Sequence, residues 1–143
     1  MCVPFHFPRR GFVEGWSDSL NRKARMKLMI VDDHEETRAL IRELIGRFAE
    51  DVLECTSGAE ATARCADFRP DLVTMDLKMP LADGLEATRR VLAKNPSACV
   101  IVITQYNSID IRTAAARAGA CHFFAKDNLA GLIQYVERKL TPS

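Results

Sequence analysis

From Met26 onward the apolar positions switch repeatedly between two periods. Short runs of consecutive apolar residues, Lys27–Val31, Val52–Cys55, Leu72–Asp76, Cys99–Thr104 and Cys121–Ala125, read as strands. Between them the period lengthens to that of a helix. Over residues 34–48, Leu40, Ile41, Leu44, Ile45 and Phe48 form one apolar stripe, with Asp33 placed to cap the helix start. Ser57 and Glu60 make an S-x-x-E capping box for a second helix ending near Asp67, and Pro70 then breaks the chain. A loop containing Pro80 and Gly84 leads to a third helix, stopped by Asn95–Pro96. A fourth, Ala-rich helix runs from Ser108 to a stop at Gly119. Asp127 is expected to cap the last helix, where Leu129, Leu132, Ile133, Val136 and Leu140 share a face.

Five strand-then-helix units predict an α/β fold with a parallel sheet covered by helices on both faces, because its strands are apolar nearly throughout. Right-handed crossovers favour a doubly wound sheet in the order 2-1-3-4-5, which binds ligands at the carboxyl ends of the strands, where the order reverses. Asp32 and Asp33 follow strand one, Asp76 ends strand three, Thr104 ends strand four, and Lys126 follows strand five. Alone, Asp33 reads as a helix cap, Lys126 as a solvated loop residue and Thr104 as a strand former. Together they converge on one sheet edge. Three neighbouring carboxylates repel one another and suit a hard cation such as Mg²⁺, which takes oxygen ligands and keeps several waters. Adding an ammonium gives an electrophilic clamp around one carboxylate, as transfer of a phosphoryl group to an Asp requires.

Composition changes this picture little. The chain has 143 residues, 48% hydrophobic and 27% charged, enough for one domain. The net charge of +1 gives no global field for nucleic acid or membrane. Residues 1–25 hold five Lys/Arg against two Asp/Glu and show no sustained periodicity. They are expected to be a disordered or loosely attached extension, with Met26 as the biological start. No apolar run approaches a membrane span and the N-terminus lacks a secretory h-region, so a cytoplasmic location is expected. The five Cys, at 2, 55, 65, 99 and 121, include no C-x-x-C pair and read as small buried hydrophobes.

The stretches "MIVDDH" (29–34), "DLKMPLADG" (76–84), "VIT" (102–104) and "AGACHFFAKD" (118–127) resemble the receiver domain of two-component response regulators, over Met26 to about Leu140. Asp76 lies 43 residues after Asp33, Thr104 28 after Asp76, and Lys126 22 after Thr104, spacings that suit that family. The resemblance implies a flavodoxin-like (βα)5 receiver domain over 26–143. It implies that Asp76 accepts a phosphoryl group from a phosphohistidine on a sensor histidine kinase or histidine phosphotransfer protein. Asp33, Asp76 and the backbone carbonyl of Lys78 would ligate Mg²⁺, with Asp32 acting through water, and Lys126 would pair with the phosphoryl group. Thr104 and Phe123 would form the switch. Lys78, Gln105 and Tyr106 would tune the phosphoryl lifetime, with Gln105 narrowing access.

Phe123 lacks a Tyr hydroxyl, so its switching is limited to packing. The "KD" at Lys126–Asp127 is similar to the NarL/FixJ-like branch, which usually continues into a DNA-binding domain. A stand-alone receiver is favoured, as a monomer or weak dimer without direct nucleic-acid binding. It would act on a downstream protein through its fourth helix, fifth strand and fifth helix. The alternatives are the receiver fragment of a DNA-binding regulator and a phosphorylation-independent adaptor, against which the intact acid set argues. A metal-dependent phosphohydrolase is the weakest reading, because Lys78 stands where such chemistry generally wants an acid. The chain would catalyse its own phosphorylation and dephosphorylation without being a substrate-turnover enzyme in the ordinary sense.

Overall fold

The structure is a computed structural model that describes residues 26–78 and 81–140. The expected N-terminal extension and the turn at Pro80 lie outside these residues. The elements are β1 (Met26–Val31), α1 (Glu35–Ile45), a 3₁₀ turn (Gly46–Phe48), β2 (Ala49–Cys55), α2 (Gly58–Phe68), β3 (Leu72–Leu77), α3 (Leu81–Lys94), β4 (Cys99–Thr104), α4 (Ile109–Ala118), β5 (His122–Ala125) and α5 (Leu132–Leu140). All strand pairs are parallel, in the order β2-β1-β3-β4-β5. The doubly wound sheet read from the pattern is therefore the observed one.

The central strands are apolar throughout because each of their faces is covered. Leu28, Ile30, Leu72, Ile101 and Ile103 pack towards Ile41 and Ile45 of α1 and Leu132, Val136 and Leu140 of α5. The alternate residues Met29, Val31, Met75, Val100 and Val102 pack towards Cys65 of α2, Val91 of α3 and Ala115 of α4. Each large aliphatic side chain fully removed from water here contributes about 1.5–3 kcal/mol. Cys55, Cys65 and Cys99 are buried free thiols, and burial pushes the thiols of Cys55 and Cys99 up to about 11. Cys121, half-buried before β5, is not among these free thiols.

Local chemistry sets several boundaries away from their expected places. Asp33 does not cap α1; His34 holds the cap position, and Asp32 accepts its backbone N–H at 2.8 Å. Leu40 belongs to the expected apolar stripe but is 45% exposed, because the buried ridge of α1 runs through Ile41 and Ile45. β2 begins earlier than its apolar run, since backbone pairing with β1 extends to Ala49 at a sheet edge where polar side chains can face water. The Ser57 hydroxyl accepts the Glu60 N–H at 3.1 Å, while the Glu60 carboxylate reaches back to the N–H of Thr56 rather than of Ser57. Gly84 lies in the first helical turn of α3 and not in the preceding loop. Asp127 does not cap α5, which starts at Leu132 after an irregular connection. Ser108 and Gly119 do bound α4: the Ser108 hydroxyl accepts the Ile111 N–H, and Gly119 takes φ 109°.

Candidate phosphorylation and cation site

The switch in strand order places the ends of β1 and β3 side by side, with β4 and β5 following outward. Parallel register brings Asp76 opposite Ile103 and Thr104 opposite Ala125, one residue before Lys126. Five residues from four separate stretches of the sequence thereby share one edge. Backbone bonds hold the frame: the Asp32 N–H donates to Cys55 O at 3.0 Å, and the Lys126 N–H donates to Thr104 O at 2.8 Å. Arg38 braces the β1 end, donating from Nη1 to Asp32 O at 2.8 Å and from Nε to Glu54 at 2.8 Å.

Asp32 is buried and the side chain of Asp76 is only 5% exposed. Lys126 Nζ lies 3.1 Å from Asp32 Oδ2 and 3.2 Å from Asp76 Oδ1. The contact to Asp32 Oδ2 is a buried ion pair. Burial raises the Asp76 pKa, the neighbouring Asp32 raises it further, and Lys126 offsets only part of this. Burial pulls the Lys126 pKa down, but the Asp32 and Asp76 carboxylates outweigh it, so the ammonium is held protonated.

Asp33 is the outer acid. Its Oδ2 accepts a hydrogen bond from Lys78 Nζ at 2.6 Å, which holds the carboxyl below its ordinary range and the ammonium above its own. Lys78 was expected to act through its backbone carbonyl; the structure places its ammonium on Asp33. Three carboxylates thus face two ammoniums, leaving one net negative charge while His34 is neutral.

His34 is the residue that sequence reading missed. Its Nδ1 lies 3.3 Å from Asp32 Oδ1 and 3.0 Å from Asp33 Oδ1. Ligand atoms of Asp32, Asp33, His34 and Asp76 all fall within 4.8 Å of one another. The signal was present, since His34 directly follows the acid pair, but only the turn into α1 folds its ring back over them.

Thr104 is fully buried, and its hydroxyl donates to Leu77 O at 2.6 Å while accepting the Tyr106 N–H at 3.1 Å. Phe123 pairs in register with Val102, and both pack into the α2–α4 side of the core. Thr104, two residues after Val102, is directed to the same side of the sheet. The Phe123 ring is half-buried, with the Arg112 guanidinium 5.3 Å from its centroid. Phe124 packs on the opposite side, against the α5 cluster. Gln105 is exposed and Tyr106 half-buried beside the end of β4. Gly84 lets α3 approach this edge: a Cβ there would sit 2.5 Å from Leu77 Cδ2 and 3.2 Å from Asp76 O.

The acid set fits a hard divalent cation. Its donors are carboxylate oxygens, they converge, and among the described residues the buried Asp32 Oδ2 has the Lys126 ammonium as its partner. Among the described residues no helix is long and apolar enough to cross a membrane.

Comparison with known proteins agrees with this geometry. The family described as response regulator receiver domain matches residues 28–137. Chemotaxis protein CheY of Listeria monocytogenes is 37% identical over 102 residues, covering 71% of this chain and 86% of that protein. DNA-binding transcriptional activator DevR/DosR of Mycobacterium tuberculosis is 36% identical over 104 residues, covering 71% of this chain and 48% of that protein. The chain therefore spans most of one relative and about half of the other. A two-component response regulator of the LuxR family from Aurantimonas sp. has a crystal structure that superposes with a TM-score of 0.72 at 32% identity, covering 80% of this chain and 84% of that one. The sheet order, the acids at its carboxyl edge and these matches together establish that the chain belongs to the response regulator receiver domain family.

Proposed function

We propose that this receiver is switched by phosphorylation of Asp76 in a Mg²⁺-dependent reaction. The observation that carries the reading is the Asp76 carboxylate itself, which lies one residue before the end of the central strand, is nearly buried, and is paired at 3.2 Å with Lys126. An Asp76 oxygen would attack the phosphorus of a phosphohistidine. The O–P bond forms as the P–N bond breaks, and the imidazole leaves with the electron pair of that bond. Hydrolysis of the acyl phosphate by water would return the free carboxylate and release orthophosphate. Asp33, Asp76 and the backbone carbonyl of Lys78 would hold the cation, with Asp32 acting through water. Bound there, Mg²⁺ would neutralise charge on the phosphoryl oxygens. Lys126, already 3.2 Å from Asp76, would pair with the transferred group.

In this structure the Thr104 hydroxyl is committed to Leu77 O. Donating to a phosphoryl oxygen instead would free that carbonyl and also the Tyr106 N–H. The loss is local to the β4 end, on the side of the sheet where Phe123 packs, and this would shift a pre-existing two-state equilibrium. Lys78, Gln105 and Tyr106 would set how long the phosphoryl group survives. The output would pass through α4, β5 and α5 to a downstream protein. On that face exposed His122 stacks on Tyr135 with ring centroids 4.4 Å apart. The phosphoryl donor would be a sensor histidine kinase or phosphotransfer protein, in the cytoplasm.

The test is intact-mass measurement after incubation with Mg²⁺ and acetyl phosphate. The expected result is an adduct of one PO₃ group that is absent in Asp76→Asn. No adduct with any small donor or kinase would overturn the reading. The half-length match to DevR/DosR favours a second reading for the whole protein, a receiver joined to a DNA-binding domain. The size of the protein in its native cells decides between the two.

A further inference from the structure

We propose that His34 is a nitrogen ligand at the cation site, making it a mixed oxygen–nitrogen centre that favours Mn²⁺, Co²⁺ or Ni²⁺ relative to Mg²⁺. This rests on the reading of the acid cluster as a cation site. His34 takes the cap position of α1 with φ −97° and ψ 119°, yet its side chain makes no capping bond. Its backbone N–H is tied to Asp32 Oδ1 at 2.8 Å, and this short loop turns the ring over the acids. Nδ1 then lies 3.0 Å from Asp33 Oδ1 and 3.3 Å from Asp32 Oδ1.

Donors on one divalent ion sit about 2.0–2.4 Å from it, so no two of them lie further apart than about 4–5 Å. The ligand atoms of Asp32, Asp33, His34 and Asp76 meet that condition, all within 4.8 Å of one another. The buried Asp32 Oδ2, with the Lys126 ammonium 3.1 Å away as its partner among the described residues, adds an oxygen able to act on the ion through water. The ring is 64% exposed, so small rotations cost little packing. Asp33 is held on its other oxygen by Lys78, which leaves Oδ1 and the His34 nitrogen side by side.

Imidazole nitrogen changes the selectivity of such a site. Mg²⁺ prefers oxygen and gains little from it, whereas affinity for N-containing sites climbs from Mn²⁺ through Co²⁺ to Ni²⁺. An alternative role for His34 is purely local, with Nδ1–H donating to the two carboxylates at the helix start.

Pulsed electron paramagnetic resonance on the full chain loaded with Mn²⁺ separates these roles. The expected result is a ¹⁴N modulation from a directly bound imidazole, lost in His34→Ala. Calorimetry should show Ni²⁺ binding weakened about tenfold or more in that variant while Mg²⁺ binding changes less than about twofold. Thermal melting confirms that the variant folds. Mn²⁺ bound without nitrogen coupling, coupling that survives in His34→Ala, or an unchanged ratio of Ni²⁺ to Mg²⁺ affinity overturns the assignment of His34. Failure of the underlying site reading looks different: Mn²⁺ binding would be absent, or indifferent to Asp33→Asn.

Discussion

Replacing Lys126 by Met leaves two buried carboxylates, Asp32 and Asp76, without the ammonium that lies 3.1 and 3.2 Å from them. At those separations each contact is worth about 5 kcal/mol at an effective dielectric constant of about 20, before the desolvation cost of the lysine is counted. Breaking a buried pair by deleting one partner typically costs about 3–5 kcal/mol. Proton uptake sets a ceiling. Once the penalty exceeds the cost of protonating one acid, the site takes up a proton, which at pH 7 costs about 4 kcal/mol from an ordinary carboxylate near 3.9. At pH 5 the same step costs about 1.5 kcal/mol.

The Asp76 pKa is already raised by burial, so the folded state holds this proton more tightly than the unfolded chain. Stability therefore falls as pH rises from the unfolded towards the folded pKa, and loss of Lys126 extends that window upward. Lys126→Met is thus expected to destabilise the apo protein by about 3–4 kcal/mol at pH 7 and by no more than about 1.5 kcal/mol at pH 5. Urea unfolding followed by circular dichroism in the presence of chelator measures both values. Adding Asp76→Asn removes one of the two stranded charges and the repulsion between them and should recover most of the loss, giving a coupling of at least about 1.5 kcal/mol in the double-mutant cycle. A loss below about 1 kcal/mol, independent of pH and unrelieved by Asp76→Asn, would refute the electrostatic account.

Three further outcomes follow from single contacts. Lys78→Met removes the ammonium that occupies Asp33 Oδ2, so Mg²⁺ affinity measured by calorimetry should rise, by about three- to tenfold; unchanged affinity would show that the pair does not compete with the cation. Gly84→Ala places a Cβ 2.5 Å from Leu77 Cδ2 and close to Asp76 O, and should cost about 1–3 kcal/mol in urea unfolding while slowing adduct formation from acetyl phosphate. Ser57→Ala removes the acceptor for the Glu60 N–H and should cost about 1 kcal/mol, with no effect on phosphorylation, because the α2 cap lies outside the acid cluster.

The sequence by itself determined the architecture, because five apolar runs alternating with helical stripes leave few ways to bury both faces of a sheet. It also placed five chemistry-bearing side chains at one edge, though not His34. Asp32, Asp33, Asp76, Thr104 and Lys126 sit at strand ends, and strand ends in a parallel sheet share an edge. What it left undecided are the pairings across that edge. Whether Lys78 neutralises Asp33 or Asp76 depends on the direction of a long, flexible side chain, which no periodicity encodes. That His34 turns over the acids depends on the hydrogen bond from its backbone N–H to the Asp32 carboxylate at the start of α1, where Asp33 read equally well as the cap. Why a glycine stands at position 84 is set by the close approach of α3 to Leu77, a contact between elements. The Thr104 hydroxyl is read as a strand-end group from sequence, and only its burial against Leu77 shows which carbonyl it donates to. Local pattern encodes the period of each segment and so the layer it joins. The partners of a charged or hydroxyl group are set by distances between segments, and those exist only once the sheet is assembled.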